Sequence, residues 1–511
     1  MTGSRPGGPR LTQPGSSAAA DGASAAAANA ARNAAKARAA LTAWLARPLT
    51  SLHIVLGVFG LLTLLGLVMV LSASSVESFE QVGSSYSVFR RQLLFCVAGL
   101  AVFWFGMRIP PKVLRALAPA LLVGSMLLLA AVLIPGLGQV RGGARSWFVV
   151  GPISIQPAEI AKVGLALWGA HVLAARQRVL GNWRQLLSPL LPVALVLFTL
   201  IVVEPDLGTA VSLAIVVYAL LFFAGAPLRL LGALTVGGLV GAVVLGFSAG
   251  YRQSRIMSFL SPNASDPLGS AYQAKQALYS LADGGLFGVG LGQGRAKWSY
   301  LPNAHNDFIY AIIGEELGMV GAVAVLVLFG LLAYVGLRIA TRNTDPWLKL
   351  VVATLTVWMV GQATINIGYV VGLLPVTGIP LPLVSSGGSA LVTAMFVGGL
   401  LANAARHEPE AIAALRTHGQ GRVAKLLGLR LPEPYRSPGS RSSARSSAAP
   451  SPRSPRDARP PAQRSGSASS SSSSSSGWGA GSRRGAQRQV PGQRDGQRDR
   501  HRQVPGQRGR R

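Results

Sequence analysis

Apolar residues along this chain come in runs, not in alternation, and the runs are too long to be strands. Ten follow one another, near 51–74, 91–107, 114–135, 156–175, 188–203, 207–224, 229–250, 307–339, 347–372 and 388–404. A helix needs about 20 apolar residues to cross about 30 Å of hydrocarbon, and lipid cannot satisfy open backbone groups. Each run is therefore predicted to be a membrane helix. The first is long enough to anchor the chain, and no cleavable signal is expected before it. The fold expected is an all-α integral membrane protein with about ten transmembrane helices and a large loop, 251–306, before the eighth.

Polar stretches divide the rest. Residues 1–48 are Ala-rich and basic (Arg32, Lys36, Arg38, Arg47), and 406–511 are rich in Arg, Ser and Pro. That second stretch holds a serine run at 469–476, and its segment from Arg488 to Arg494 recurs from Arg502 to Arg508. The second stretch cannot bury a core, so it is expected to be disordered; the first is expected to be disordered too, with a frayed surface helix as the alternative for its Ala-rich part, and the two flank a membrane domain at 49–405. Within the large loop, Ala271, Ala274, Leu278 and Leu281 repeat at helical spacing with Lys275 and Gln276 turned away. This spacing predicts a short helix lying in the membrane interface. The run Gly284-Gly285-Leu286-Phe287-Gly288-Val289-Gly290-Leu291-Gly292-Gln293-Gly294 predicts tight turns and close backbone approach to a substrate. No strand and no βαβ unit surround it, which excludes a dinucleotide site.

Composition narrows the class. Of 511 residues 13% are charged and 50% hydrophobic, with mean hydropathy +0.40. A soluble domain carries about 25% charge, so the medium is a membrane. The net charge of +30 is crowded into the two ends, which suits anionic lipid headgroups and acidic protein partners better than nucleic acid. The lone Cys96 rules out an internal disulfide.

Basic residues in short loops set the orientation. The N-terminal region, the loop with Arg108, Lys112 and Arg115, the loop with Arg176, Arg178 and Arg184, and the loop with Arg338, Arg342 and Lys349 fall on one side. That side is expected to be cytoplasmic, with both termini. Three opposite segments then carry cations against the rule: Arg90-Arg91, Arg141 with Arg145, and the 251–306 loop with Arg252, Arg255, Lys275, Arg295 and Lys297. Exported cations predict an anionic ligand there, with lipid headgroups as the plainer alternative.

Four polar clusters stand at membrane boundaries. The first runs from Arg145-Ser146-Trp147 to Gln156-Pro157-Ala158-Glu159-Ile160-Ala161-Lys162, where Glu159 and Lys162 share a helix face and can neutralise each other. The second is Glu204-Pro205-Asp206-Leu207-Gly208-Thr209. The third is the large loop ending at Asp307, followed by Glu315 and Glu316 inside the apolar run. The fourth is Leu374-Pro375-Val376-Thr377-Gly378-Ile379-Pro380-Leu381-Pro382 with Ser385-Ser386-Gly387-Gly388-Ser389. Its prolines and glycines break helical geometry, which membranes tolerate only where backbone lines a cavity or is buried in protein. A cavity on the outer side follows. Asp307 is its candidate acid, and a helix N-cap is the structural alternative.

The motif order R-x-W, QPAE-x-x-K, EPDLGT, YRQSRI, the glycine run, LP-x-AH-x-DFI-x-AIIGEELG and TG-x-PLP-x-VSSGGS resembles the SEDS (shape, elongation, division, sporulation) glycosyltransferases over about 51–405. The continuation Asn403-Ala404-Ala405-Arg406-His407-Glu408-Pro409-Glu410, with a long basic tail, is similar to division-type members from actinobacteria; elongation-type members are the alternative. Ser386 departs from the pattern, since many relatives carry Tyr before the paired glycines. The resemblance implies polymerisation of lipid II into β-1,4 glycan at the outer face of the plasma membrane, at the septum, beside a class B penicillin-binding transpeptidase. Other division proteins would bind the basic tail.

An inverting transfer from a pyrophosphate-linked sugar needs one general base and cations at the leaving group. Asp307 matches the family's catalytic acid. Arg145, Arg252, Arg255 and Lys275 are the candidate cations, and Glu159, Lys162, His305, Ser385 and Ser386 complete the candidate substrate-binding set. No cluster shows metal-ligand spacing, although a divalent cation held partly by pyrophosphate would leave little trace. A lipid II flippase and a non-catalytic division scaffold are the competing functions. A flippase needs polar access from both faces, whereas these clusters concentrate on one.

Overall fold

A computed structural model describes residues 3, 16–141, 143–151, 153–176, 183–247, 253, 257, 259, 270–298, 301 and 304–435. Helices occupy each of the ten apolar runs. Eight are long and apolar enough to cross a membrane: α2 (Thr50–Val82), α3 (Ser87–Arg108), α4 (Pro111–Val132), α5 (Pro157–Ala175), α8 (Leu228–Phe247), α10 (Ile309–Arg342), α11 (Pro346–Val370) and α12 (Gly388–Arg406). The fifth and sixth runs form α6 (Trp183–Val203) and α7 (Leu207–Phe223), whose apolar parts are shorter. The 33 residues of α2 reach about 50 Å at 1.5 Å each, so its last turns extend past a hydrocarbon layer of about 30 Å.

Small residues let the inner helices close. On α12, a Cβ at Gly399 would stand 2.3 Å from the Phe103 carbonyl oxygen of α3, and one at Gly398 would stand 2.4 Å from the Phe59 ring of α2. Without a hydrophobic drive between helices in lipid, such close backbone approach supplies the packing energy. Leu165, Leu167, Val351, Leu355, Leu400 and Leu401 fill the interior, while α8 turns Val236, Leu239, Val240, Val243 and Val244 outward.

Residues between α4 and α5 add a small antiparallel sheet of β1 (Gln139–Arg141), β2 (Ala144–Val150) and β3 (Ile153–Ile155). Val140 pairs with Arg145 and Val149 with Ser154. Its strands are too short to stand out beside runs of twenty apolar residues.

The loop helix appears as α9 (Ser270–Asp283). Its buried side chains are Ala271, Ala277 and Ser280, and Leu278 is exposed. The glycine run after it weaves into a break in α10 at Gly318 (φ 68°, ψ −167°). Val289 and Gly290 donate N–H to the Glu315 and Glu316 carbonyls (2.9 and 3.1 Å), and Met319 and Val320 donate back to the Gly285 and Leu286 carbonyls (2.9 and 3.2 Å). A helix broken in an apolar setting needs its freed backbone groups re-paired, and this loop re-pairs them. Glu315 Oε1 accepts the N–H groups of Arg295 (2.5 Å) and Ala296 (3.2 Å), and Glu316 accepts the Ser72 hydroxyl at 2.6 Å. The glycines thus approach helix backbone, which corrects the expectation of a substrate-facing run.

The N-terminal stretch takes the surface-helix alternative, and the segment after α12 holds more structure than expected. Residues Ser16–Leu45 form α1, whose described side chains are nearly all exposed. Alanine's helix propensity, not burial, makes this element. Beyond α12, α13 (Pro409–Thr417) and α14 (Arg422–Leu426) continue the chain. Ala411, Ile412, Leu415 and Leu429 are buried, Trp104 Nε1 donates to the Leu427 carbonyl at 2.9 Å, and Arg342 pairs with Glu410 at 2.9 Å. Disorder expected from 406 is corrected over this segment, and the serine run and the repeat lie outside the described residues.

Candidate active site

The four polar clusters meet around one cavity of about 510 Å³. Ser146 and Trp147 of β2, Gln156, Glu159 and Lys162 at the start of α5, Pro205–Thr209, Asn306 with Asp307, Pro375–Pro380 and Ser386–Gly388 all line it. Arg91 and Gln92 of α3 and Gln362 of α11 also line it.

Each cluster is held by its own contacts. Lys162 Nζ lies 2.8 Å from Glu159 Oε1 and 4.7 Å from the centre of the Trp358 ring, with both ionised groups buried. A buried pair of this kind neutralises itself and leaves little net charge for a ligand. Asp206 caps α7, accepting the Thr209 N–H (3.0 Å) and hydroxyl (2.7 Å), and also accepts Gln156 Nε2 at 2.8 Å. Its neighbour Glu204 is fully buried in the preceding turn.

Asp307 sits in the turn before α10. That helix has Phe308, the residue after Asp307, at its N-cap. Its carbonyl accepts Asn366 Nδ2 at 3.0 Å and the Tyr369 hydroxyl at 2.8 Å. The same two side chains also reach the Ile379 carbonyl, at 2.8 and 2.9 Å. Two polar residues inside an apolar span thus tie the Asp307 turn to the proline-rich segment, and Phe308 stacks edge-on against Tyr369 at 5.8 Å.

His305 is anchored twice. Its Nδ1 lies 3.0 Å from Glu77 Oε2 on the extended end of α2, and its carbonyl accepts the Ser386 N–H at 3.0 Å.

The remaining candidates divide. Ser386 lines the cavity, while Ser385 is buried, with its Oγ accepting the Leu381 N–H at 2.8 Å. Arg145 aims its Nη1 at the Leu133 carbonyl, 3.4 Å away, and does not line the cavity. Lys275 is exposed on α9, also away from it. Arg252 and Arg255, with the YRQSRI motif, lie outside the described residues. Missed as site residues were Arg91, Gln92, Asn306 and Gln362. Arg91 carried a signal as an exported cation, and Asn366 carried one as a polar group within a span. Among the described residues no group of three or more His, Cys, Asp or Glu side chains could hold a metal ion.

A bundle of apolar helices with a polar cavity at one end, closed by broken backbone and a carboxylate turn, defines a multi-pass membrane protein with a ligand site. The FtsW/RodA/SpoVE cell cycle protein model matches residues 52–410. The probable peptidoglycan glycosyltransferase FtsW of Mycobacterium tuberculosis is 50% identical over 401 residues, covering 78% of this chain and 76% of that protein. Stage V sporulation protein E of Bacillus subtilis is 41% identical, covering 70% of this chain and 98% of the relative. Among solved structures, one of a peptidoglycan synthase complex that coordinates polymerization and crosslinking is similar (TM-score 0.58, 28% identity, 72% of this chain and 99% of that one). So is the rod shape determining protein RodA of Thermus thermophilus (TM-score 0.51, 29% identity, 72% and 99%). The chain belongs to the FtsW/RodA/SpoVE family of cell cycle proteins.

Proposed function

We propose that this protein is a peptidoglycan glycosyltransferase that polymerises lipid II during septal wall synthesis, with Asp307 as general base. The family, the glycosyltransferase relative at 50% identity and the synthase-complex neighbour support the reaction class. The observation that carries the role of Asp307 is its place on a cavity that all four polar clusters line. There the acceptor sugar hydroxyl gives its proton to the Asp307 carboxylate as its oxygen attacks the anomeric carbon. The bond to the lipid pyrophosphate breaks on the opposite face, its electron pair leaves with the pyrophosphate, and the linkage inverts from α to β. Asn366 and Tyr369 act on the backbone of Asp307, holding the turn that carries its carboxylate. The cavity faces outward, both termini are cytoplasmic, and a class B penicillin-binding transpeptidase crosslinks the product.

The test is initial polymerisation rate with purified protein, its partner transpeptidase and lipid II. Asp307→Asn preserves shape and removes the base, and a loss of about 10²–10⁴-fold is expected. Polymer made by Asp307→Asn protein at the normal rate would overturn the assignment.

A further inference from the structure

The charges lining the cavity do not match the ligand that the proposed function requires. Its ionisable side chains, among the described residues, are Arg91, Glu159, Lys162, Asp206 and Asp307. Lys162 is committed to Glu159 at 2.8 Å and to the Trp358 face. Among the described residues three carboxylates therefore face two cations, one of them already paired, while a pyrophosphate brings negative charge of its own. Arg91 is exposed, and among the described residues its guanidinium has no hydrogen bond or ion pair.

We propose that Arg91 is a cation that grips the pyrophosphate of the lipid-linked donor, an inference that rests on the function proposed above. The position of Arg91 is set by its neighbour. Gln92 is buried at 3% exposure, donating from Nε2 to the Ser385 carbonyl and accepting the Gly387 N–H at Oε1, both at 3.4 Å. Ser386, between those two, donates its N–H to His305, two residues before Asp307. Arg91 and the base are therefore mounted on one hydrogen-bonded frame.

A second observation points to a polar ligand in the same space. Ser146 Oγ, Gln362 Oε1 and Thr377 Oγ1 line the cavity and are buried without a hydrogen-bond partner among the described residues. Buried polar atoms of this kind are costly unless a ligand or water meets them. A sugar's hydroxyl and acetamido groups offer such partners, next to a diphosphate held by Arg91. The planar guanidinium suits two phosphate oxygens at once, and its attraction grows as the leaving group gains charge.

The experiment measures binding of polyprenyl pyrophosphate and polyprenyl monophosphate to the full-length protein in uncharged phosphatidylcholine nanodiscs. Arg91→Ala and Arg91→Gln should weaken pyrophosphate binding by about ten- to a hundredfold, the scale of a lost charged hydrogen bond. Monophosphate binding should fall less, and Arg91→Lys should recover only part of the loss, because the fork is gone. Arg90→Ala, which alters an exposed neighbour off the cavity, should bind as the parent does. Pyrophosphate affinity within twofold of the parent in both Arg91→Ala and Arg91→Gln would overturn the proposal. So would full recovery with Lys together with rescue by anionic lipid, which would make Arg91 a headgroup anchor. Binding in the Asp307→Asn background separates this result from the catalytic one. If that variant still polymerises, the role of Asp307 fails, while the affinity comparison still judges Arg91.

Discussion

Glu204 shows how two acids one proline apart meet different surroundings. Asp206 accepts hydrogen bonds from Thr209 and Gln156, whereas both oxygens of Glu204 are buried without a hydrogen-bond partner among the described residues. Burial first, and the charge of Asp206 second, push the Glu204 carboxyl from 4.5 up to about 8. Between those values the folded protein keeps a proton that the unfolded chain has released. The native state then binds more protons, so stability falls as pH rises through that window. It is fully present below about 4.5 and fully lost above about 8. The apparent melting temperature in detergent should therefore decline from pH 5 to pH 8.5, and Glu204→Gln, which mimics the neutral acid, should flatten that decline. Equal slopes in the two proteins would refute a buried neutral Glu204. Sequence showed two acids flanking Pro205 but not which one Gln156, fifty residues away, would satisfy. The same limit applies to the arginines: the loop pattern gave their sign and side, and only packing shows that Arg145 turns to the Leu133 carbonyl while Arg91 reaches the cavity.

At the scale of elements, the break in α10 and the glycine run form one unit. A Cβ at Gly288 would lie 2.2 Å from the Glu316 carbonyl oxygen, and its φ of +82° already disfavours a side chain. Gly285 has φ +53° but open space around a Cβ. Gly285→Ala therefore meets only the left-handed penalty, about 1–2 kcal/mol. Gly288→Ala adds a clash with backbone that cannot rotate away, on the order of a further 1–3 kcal/mol. Thermal unfolding in detergent should rank wild type above Gly285→Ala and Gly285→Ala above Gly288→Ala; equal midpoints for the two variants would sink the account. Glycine density was legible in the sequence as close approach, but what is approached was not. The partners, Gly314 through Val320, come later in the chain and read as ordinary helix until the loop opens Gly318. Short β1–β3 and the helices after Arg406 were illegible for a related reason. The segment after Arg406 is held by neighbours such as Trp104, which donates to the Leu427 carbonyl, not by a periodic pattern of its own.

On the scale of the whole molecule, periodicity was most informative, because lipid leaves a spanning segment so few options. Helices occupy all ten apolar runs, and their alternation assigns every cavity-lining stretch to the same end of the bundle. The start of α3, the start of α5, the turn before α7, the turn before α10 and the segment between α11 and α12 all belong to that end. Independent contacts identify the other end. Arg342, at the end of α10, pairs with Glu410 after α12, and Lys112, at the start of α4, pairs with Glu433 at 2.6 Å. The exposed Lys112–Glu433 pair contributes little stability, but it sets the segment beyond α12 beside the basic loop between α3 and α4, on the side proposed to be cytoplasmic. In a Cys96→Ser background, Gln139→Cys on exposed β1 should react with a membrane-impermeant maleimide in intact cells. Thr417→Cys, exposed at the end of α13, should react only after the membrane is opened. Labelling of Thr417→Cys in intact cells would invert the molecule and place Asp307 on the cytoplasmic side, where the proposed extracytoplasmic polymerisation could not occur.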